Sequence, residues 1–522
     1  MSHTPQDNTD GPDLADLRLL MTAEEAFPAL ERAFLEAERE IWASFRVFDL
    51  ETKLRSDEAR AVGETWFDLV VHVLNKGVSV HVALADFDPI LKTKLHTASW
   101  KARRAFIGAA EVAGPGADLD VLNATHSARV GLLPRLLLWP ALIRNLNRRA
   151  GRLNALAAED RARELECSPG LVRWLRFAPG GTLVARKWPP PPLVPGTHHH
   201  KIAVFDRSLL YIGGLDLDER RYDDKGHDRR REQTWHDVQL TCRGSIAEEG
   251  QRHLETFLQV CNDRTEPPTT GRLLRTLSRR RRIQFPFLGP RPLVDELARA
   301  HLRMIGEARD LIYLETQFFR DRRIAGALAR AGKRRSDLGL ILILPGAPED
   351  VAFDGAMSSD ARFGEYLQAR CVDEVAEAFG SRAAICSPVR PERISASGRD
   401  TLCGSPIVYV HAKVGLFDDD RAIVSSANLN GRSLSWDTEA GLALDRPEHV
   451  ARLRNRAFRH WLGEDADSAF FDLSAASGHW RARARSNAGR PPERRQGFLV
   501  PYDPEPARAF GRPLPGMPHA MV

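Results

Sequence analysis

A chain of 522 residues is too long for one ordinary hydrophobic core, and its 28% charged and 43% hydrophobic content is that of a soluble globular protein. The formal charge of +5 is mild but unevenly placed: Arg229-Arg230-Arg231 and Arg279-Arg280-Arg281-Arg282 form clusters that are either solvated loops or sites for an anionic partner. The six cysteines show no CxxC pair and no histidine at zinc spacing, which indicates neither a disulfide framework nor a metal site, and no run of 18 apolar residues indicates a membrane span.

Residues 1–20 are polar, contain Gly and Pro, and read as a flexible N terminus without a secretory leader, so a soluble, cytoplasmic protein is expected. Thr22 with Glu25 three residues later is a capping box opening an amphipathic helix to about Trp42. SFRVFDLET (44–52) then predicts a strand, residues 57–76 a helix and VSVHVALAD (78–86) a second strand. The second half repeats the order: helix 292–308, strand 310–316, helix 322–334, strand 338–345. This alternation predicts α/β halves, each a mixed, mainly parallel sheet flanked by helices.

The expected organisation is a first half over 21–265, a linker over 266–290 with Pro267-Pro268, a second half over 291–475, and an extended Arg/Pro-rich tail over 476–522. Matching Glu51-Thr52 to Glu315-Thr316 gives the first half about 52 additional residues before His199, placed between about 91 and 184. That region contains GLLPRLLLWPALIRNLNRRAGR, whose apolar stretch 130–143 with Trp139 and following arginines is too short to span a bilayer. It suits either an interfacial segment or a buried helix or lid.

Two stretches carry the chemistry. In the second half, His411 and Lys413 are two apart in an apolar, β-branched context, so both side chains leave one face of a strand. Asp418-Asp419-Asp420 supplies turn chemistry, residues 422–424 run back as a partner strand, and Ser425, Ser426 and Asn428 follow at its end. In the first half His199, Lys201, Asp206, Gly214 and Asp216 match His411, Lys413, Asp418, Ser426 and Asn428 at a constant offset of 212 residues. One such match is weak; two in register indicate an internal duplication.

HxKxxxxD followed by GGxD in one copy and SSAN in the other resembles the phospholipase D superfamily, whose two motifs build one active site. GGLDLDERRYDD, TWHDV, IYLETQFF and NGRSLSWDTE are similar to stretches of the phosphatidylcholine-hydrolysing phospholipases D, and the likeness covers about residues 40–460. The resemblance implies a pseudo-twofold duplicated phospholipase D fold. It also implies a covalent phosphohistidine, with His199 as nucleophile and His411 as general acid, although the sequence alone does not fix that order.

Phosphodiester cleavage needs an in-line nucleophile, a proton donor for the leaving alkoxide and positive charge at the equatorial oxygens, and two imidazoles with two lysines supply all three. Lys201, Lys413 and Asn428 are the expected phosphoryl ligands, with Ser426 a weaker candidate. Gly214 and Asp216, and Gln317 in IYLETQFF, are further candidates at the substrate. A histidine used this way needs a carboxylate on its other nitrogen. Glu439, 28 residues after His411, matches the family's orienting acid, and Asp237, 38 residues after His199, is its first-half counterpart. Asp206 and Asp418 are expected to fix the hairpins, and His200 to point away from His199 and Lys201.

The favoured activity is hydrolysis of a phospholipid headgroup with exchange to alcohols. Cardiolipin-synthase-like phosphatidyl transfer and nuclease action are alternatives on the same chemistry, and a catalytically silent membrane scaffold is the reading outside it. The expected partners are a glycerophospholipid at a membrane surface and water or an alcohol as acceptor. No nucleic acid, cofactor or metal is expected, aromatic residues not being interleaved with the arginines as strand binding favours. A monomer, peripheral on membranes or exported without a leader, and free of PX-, PH- or C2-like modules, completes the expectation.

Overall fold

Short runs of Val, Ile, Leu and Ala with both faces buried build two mixed sheets in this computed structural model, which describes residues 14–395 and 397–522. The first sheet has seven strands in the order Ala15–Met21, Val238–Arg243, Leu209–Gly213, Ile202–Phe205, Glu40–Phe45, Ser79–Asp86 and Leu119–Thr125. The second has nine: Arg291–Asp295, Leu273–Arg279, Glu439–Leu444, Arg421–Ser425, Val414–Phe417, Leu311–Glu315, Gly339–Ile343, Ala383–Pro388 and Leu499–Pro501. The expected mixed α/β architecture is present, but the emphasis on parallel pairing is corrected. In each sheet only three neighbouring strands pair in parallel, because the hairpins that carry the motifs are antiparallel.

The inner faces of both sheets share one core. Ile202, Val204, Leu210 and Ile212 pack in the same cluster as Val414, Leu416, Ala422 and Val424, with helices Ser245–Cys261 and Pro447–Leu462 completing the layer. Helices Thr22–Glu36, Trp66–Asn75 and Thr93–Ala113 cover the outer face of the first sheet, and Glu296–Glu307, Arg322–Arg334 and Ser359–Phe379 that of the second. The duplication extends to strand register: Ile202 pairs with Ile212 and Phe205 with Leu209, as Val414 pairs with Val424 and Phe417 with Arg421.

Asp206 and Asp418 do the same work at both turns. Asp206 accepts hydrogen bonds from the backbone N–H groups of Glu38, Arg39 and Glu40 at 2.8–3.0 Å, and Asp418 from Arg309, Asp310 and Leu311 at 2.8–3.1 Å. Each carboxylate pins its hairpin to the start of the neighbouring strand from a left-handed backbone, φ +51° and +56°, a conformation that Asp tolerates better than most residues.

Several boundaries move. Of the N terminus expected to be flexible, residues 1–13 lie outside the described residues, while Ala15–Met21 is a strand paired with Val238–Arg243. The first helix ends at Glu36 and Trp42 belongs to the next strand. The linker supplies the strand Leu273–Arg279, and the helix expected from 292 is preceded by the strand Arg291–Asp295. The tail is not extended: helix Ala476–Ala488 buries Trp480 and Ala484, and Leu499–Pro501 forms an edge of the second sheet.

The insertion also shifts. Residues 93–125 are the helix and strand equivalent to Ser359–Phe379 and Ala383–Pro388, so the additional segment begins after Thr125 and ends near Thr197. Glu51 is not the counterpart of Glu315, since register places Ser44 opposite Ile202 where Glu315 is opposite Val414. The insertion has its own small core, in which Leu142, Leu146, Ala150 and Leu153 of helix Leu132–Asn154 meet Trp174, Leu175 and Leu183.

Asp418→Ala should lower stability by about 2–3 kcal/mol, because it leaves backbone donors without their carboxylate and places alanine at positive φ. Thermal unfolding reads this directly, and an unchanged Tm would contradict the anchoring role.

Candidate active site

The two motif segments run just ahead of their strands and are tied to the opposite half. Thr438 accepts at its carbonyl from the N–H groups of His199 and His200 at 2.8 and 3.0 Å and donates its own N–H to Thr197 at 2.9 Å. His236 repeats the pattern, accepting from His411 and Ala412 at 2.8 and 3.0 Å and donating to Tyr409 at 2.8 Å. Glu439 follows Thr438 and Asp237 follows His236, so each acid reaches the imidazole of the other half.

Glu439 lies 3.0–3.1 Å from His199 Nδ1, and Asp237 Oδ2 lies 2.6 Å from His411 Nδ1. This corrects the sequence assignment, which placed Glu439 with His411 and Asp237 with His199. The crossed pairing holds the Nδ1 of both rings and leaves each Nε2 as the outward nitrogen. His200 turns the other way, onto Ser44 Oγ at 2.7 Å and His253 Nε2 at 3.1 Å.

The lysines sit beneath the imidazoles. Lys201 Nζ donates to the His199 carbonyl and lies 3.8 Å from Asp216 Oδ2, while Lys413 Nζ donates to the His411 carbonyl and lies 2.8 Å from His411 Nδ1. Asp216 is fully buried, accepts from the Val47 N–H at 3.0 Å and has Arg46 and Arg221 at 3.7 and 3.8 Å. It is therefore a counter-charge to the cations rather than a direct ligand for an anion.

Three other candidates also change role. Ser426 Oγ donates to Glu439 Oε2 at 2.5 Å and accepts from the Ala440 N–H at 3.1 Å, so it holds the carboxylate that holds His199. Gly214 is required by packing, since a Cβ there would lie 2.2 Å from Asp237 Oδ1. Gln317 is buried and donates to the Tyr409 hydroxyl at 2.7 Å. Asn428, the counterpart of Asp216, is buried, and its Oδ1 finds no hydrogen-bond partner among the described residues.

Electrostatics follow from burying so many charges together. Burial, then Lys201 and Arg46, holds His199 well below the usual imidazole range, and burial, then Lys413 and Lys201, does the same to His411. Burial raises Glu439 to about 8 and Asp237 to about 6, and lowers Lys413 to about 7. Burial thus pushes each carboxylate up and each imidazole down, and the charge on His199 also lowers His411.

Arg46, Arg221, Arg432 and Trp235 were not singled out from the sequence. Arg432 pairs with Asp437 at 2.9 Å and acts electrostatically on His199, and the Trp235 ring lies 4.5 Å from the His411 ring, tilted to it, with the Arg221 guanidinium 5.0 Å from the Trp235 ring. The register that equates Ser44 with Glu315 equates Arg46 with Gln317, a signal hidden by the Glu-Thr match.

Residues 301–461 match the family model described as "Cardiolipin synthase, PLD-like domain". Phospholipase D alpha 1 of Oryza sativa subsp. japonica is 21% identical over 49% of this chain and 46% of its own, and Phospholipase D2 of Bos taurus is 28% identical over 31% and 20%. The chain thus spans less than half the length of these curated relatives. Among solved structures, phosphatidylserine synthase of Haemophilus influenzae Rd KW20 aligns over 85% of this chain and 86% of its own at 12% identity and TM-score 0.48. The matched segment 301–461 and the curated relatives, phospholipases D at low identity, support the phospholipase D superfamily for this chain.

The crossed pairing is checked by 15N NMR of the histidine rings. Glu439→Gln should move the nitrogen shifts of His199 and leave those of His411, whereas Asp237→Asn should do the reverse; the opposite pattern would restore pairing within halves.

Proposed function

We propose that this chain is a phospholipase D, which cleaves the distal phosphodiester of a glycerophospholipid to phosphatidic acid and a free headgroup. The observation that carries this reading is the pair of imidazoles, each held at Nδ1 by a carboxylate of the other half above a buried set of cations. His199 Nε2 attacks phosphorus in line with the leaving alkoxide, forming a P–N bond as the P–O bond breaks, and His411 in its protonated form gives its proton to that oxygen. Water or an alcohol, deprotonated by His411, then displaces His199 and yields phosphatidic acid or a phosphatidyl alcohol.

His199 is the more accessible ring, with 12% of its side chain exposed against 4% for His411, which supports the nucleophilic role. Both rings are held neutral before substrate enters, and the phosphodiester's negative charge favours protonation of His411 on binding. Lys201, Lys413 and Asn428 are the groups proposed to stabilise the phosphoryl oxygens, with Arg46 and Arg221 adding positive charge and Asp216 fixing the cations.

The insertion supports a lipid surface as the place of action. Helix Leu132–Asn154 buries its later leucines but exposes Leu132, Leu133, Leu136 and Leu137, the last 75% exposed, and Ile283, 75% exposed, stands on the adjoining loop. The Gly131 N–H donates to the Phe287 carbonyl at 2.8 Å, joining helix to loop, and Arg281 stacks 4.1 Å from the Phe287 ring. Leucine and isoleucine beside arginine is the chemistry of an interfacial anchor on an anionic bilayer. Among the described residues no helix is long and apolar enough to cross a membrane.

Headgroup release from mixed phosphatidylcholine and phosphatidylethanolamine vesicles, with a primary alcohol present, tests the reading. Wild type should release choline or ethanolamine and form phosphatidyl alcohol, and His411→Ala should lower the rate by about 10²–10⁴-fold. An alkaline quench should place a phosphatidyl group on His199. Leu137→Asp should slow vesicle turnover while sparing monomeric short-chain lipid. No release, with cardiolipin formed from phosphatidylglycerol or plasmid DNA nicked instead, would overturn the substrate assignment.

A further inference from the structure

Directly behind Asp237, three histidines from both halves converge where the catalytic reading uses none of their rings. His227 follows the Arg221–Asp224 segment, His236 lies between Trp235 and Asp237, and His460 is near the end of helix Pro447–Leu462. One ring nitrogen from each lies within 4.8 Å of the other two, and His227 Nε2 and His460 Nε2 are already 3.1 Å apart. We propose that His227, His236 and His460 bind one zinc ion, which pins the second half to the segment that carries Asp237.

The surroundings are those a zinc ligand set requires. A metal-bound histidine has its other nitrogen fixed by a carboxylate or carbonyl. Here Asp223 Oδ2 lies 2.7 Å from His227 Nδ1 and Glu315 Oε2 lies 3.1 Å from His236 Nε2. Both carboxylates are themselves held, Asp223 by the Trp235 N–H at 2.6 Å and Glu315 by the Trp461 indole at 3.0 Å. With Nε2 occupied, the nitrogen left to His236 is Nδ1, which is buried and without a hydrogen-bond partner among the described residues.

The chemistry of the donors agrees. Imidazole nitrogen is a common zinc donor, and the His236 and His460 rings already lie 4.4 Å apart. Nitrogen ligands on zinc at about 2.0–2.1 Å stand roughly 3.3 Å apart in a tetrahedron, so closing the set needs side-chain movements of about 1 Å. His460 is only partly buried, which leaves one side for water as fourth ligand. Lys225 and Arg456, cations near His460, are both engaged by Glu25, at 2.5 and 2.7 Å. No reaction step passes through this ion. His236 presents its carbonyl to His411 and Ala412, so the ion would act as a positioning device for the site.

The test uses untagged full-length protein, stripped by chelator, loaded with Zn²⁺ and freed of excess by gel filtration. Wild type should retain about one zinc per chain and unfold at higher temperature with zinc than without. His460→Gln, on a partly exposed position, should weaken zinc binding about tenfold or more and lose the thermal response. His227→Asn, which tolerates the positive φ there, should do the same if His460→Gln folds poorly. Co²⁺ should give the visible bands of a tetrahedral nitrogen site in wild type only. Wild type without retained zinc, or variants that retain as much, would show a hydrogen-bonded histidine cluster and overturn the proposal.

Discussion

Thr438 and His236 each offer one carbonyl to two consecutive N–H groups of the opposite half, and every group in the site takes its place from that exchange. Neither half carries a complete imidazole and carboxylate pair alone. Glu439 and Asp237 reach their histidines only because the residue before each is bridged across the pseudo-twofold axis. The common core between the sheets holds the bridge in place: the strands bearing Ile202 and Val414 both contribute side chains to it, so a slip of one half against the other would disturb both pairs together.

Burying this constellation is costly, and the cost is met within the site. Lys201 and Lys413 have almost no contact with solvent, and Asp216, Asp237 and Glu439 compensate them. Removing one member leaves an uncompensated buried charge, typically worth about 3–5 kcal/mol. Burial drives the carboxylates up and the imidazoles down, so each pair titrates as a coupled unit. Where one half has Ser426 bonded to Glu439, the other has Gly214 closed against Asp237. The two histidines therefore have unlike surroundings despite their common origin.

Much of this was legible in the amino-acid order because the duplication is gapless across each motif. The 212-residue offset that aligns His199 with His411 also aligns the hairpin registers and the two capping aspartates. Pairing across the axis was not legible, because sequence distance makes Glu439 look like a neighbour of His411 while the backbone bridge to Thr197 and His199 leaves no local trace. The insertion was misplaced because a shared Glu-Thr dipeptide outweighed strand register. The C-terminal segment was misread from its Arg and Pro content, although Trp480 and the apolar Leu499-Val500 marked it as packed. The cluster of His227, His236 and His460 leaves no trace in the amino-acid order, because His460 is 224 residues beyond His236 and only the fold brings it to the other two.

On the proposed function, the two halves assemble one double-displacement site with His199 as the covalent nucleophile. The most direct measurement is the configuration at phosphorus after transfer to an alcohol from a phosphatidylcholine analogue chiral at phosphorus. Two in-line displacements at one site predict net retention. Net inversion would mean direct attack by the acceptor and would contradict the account.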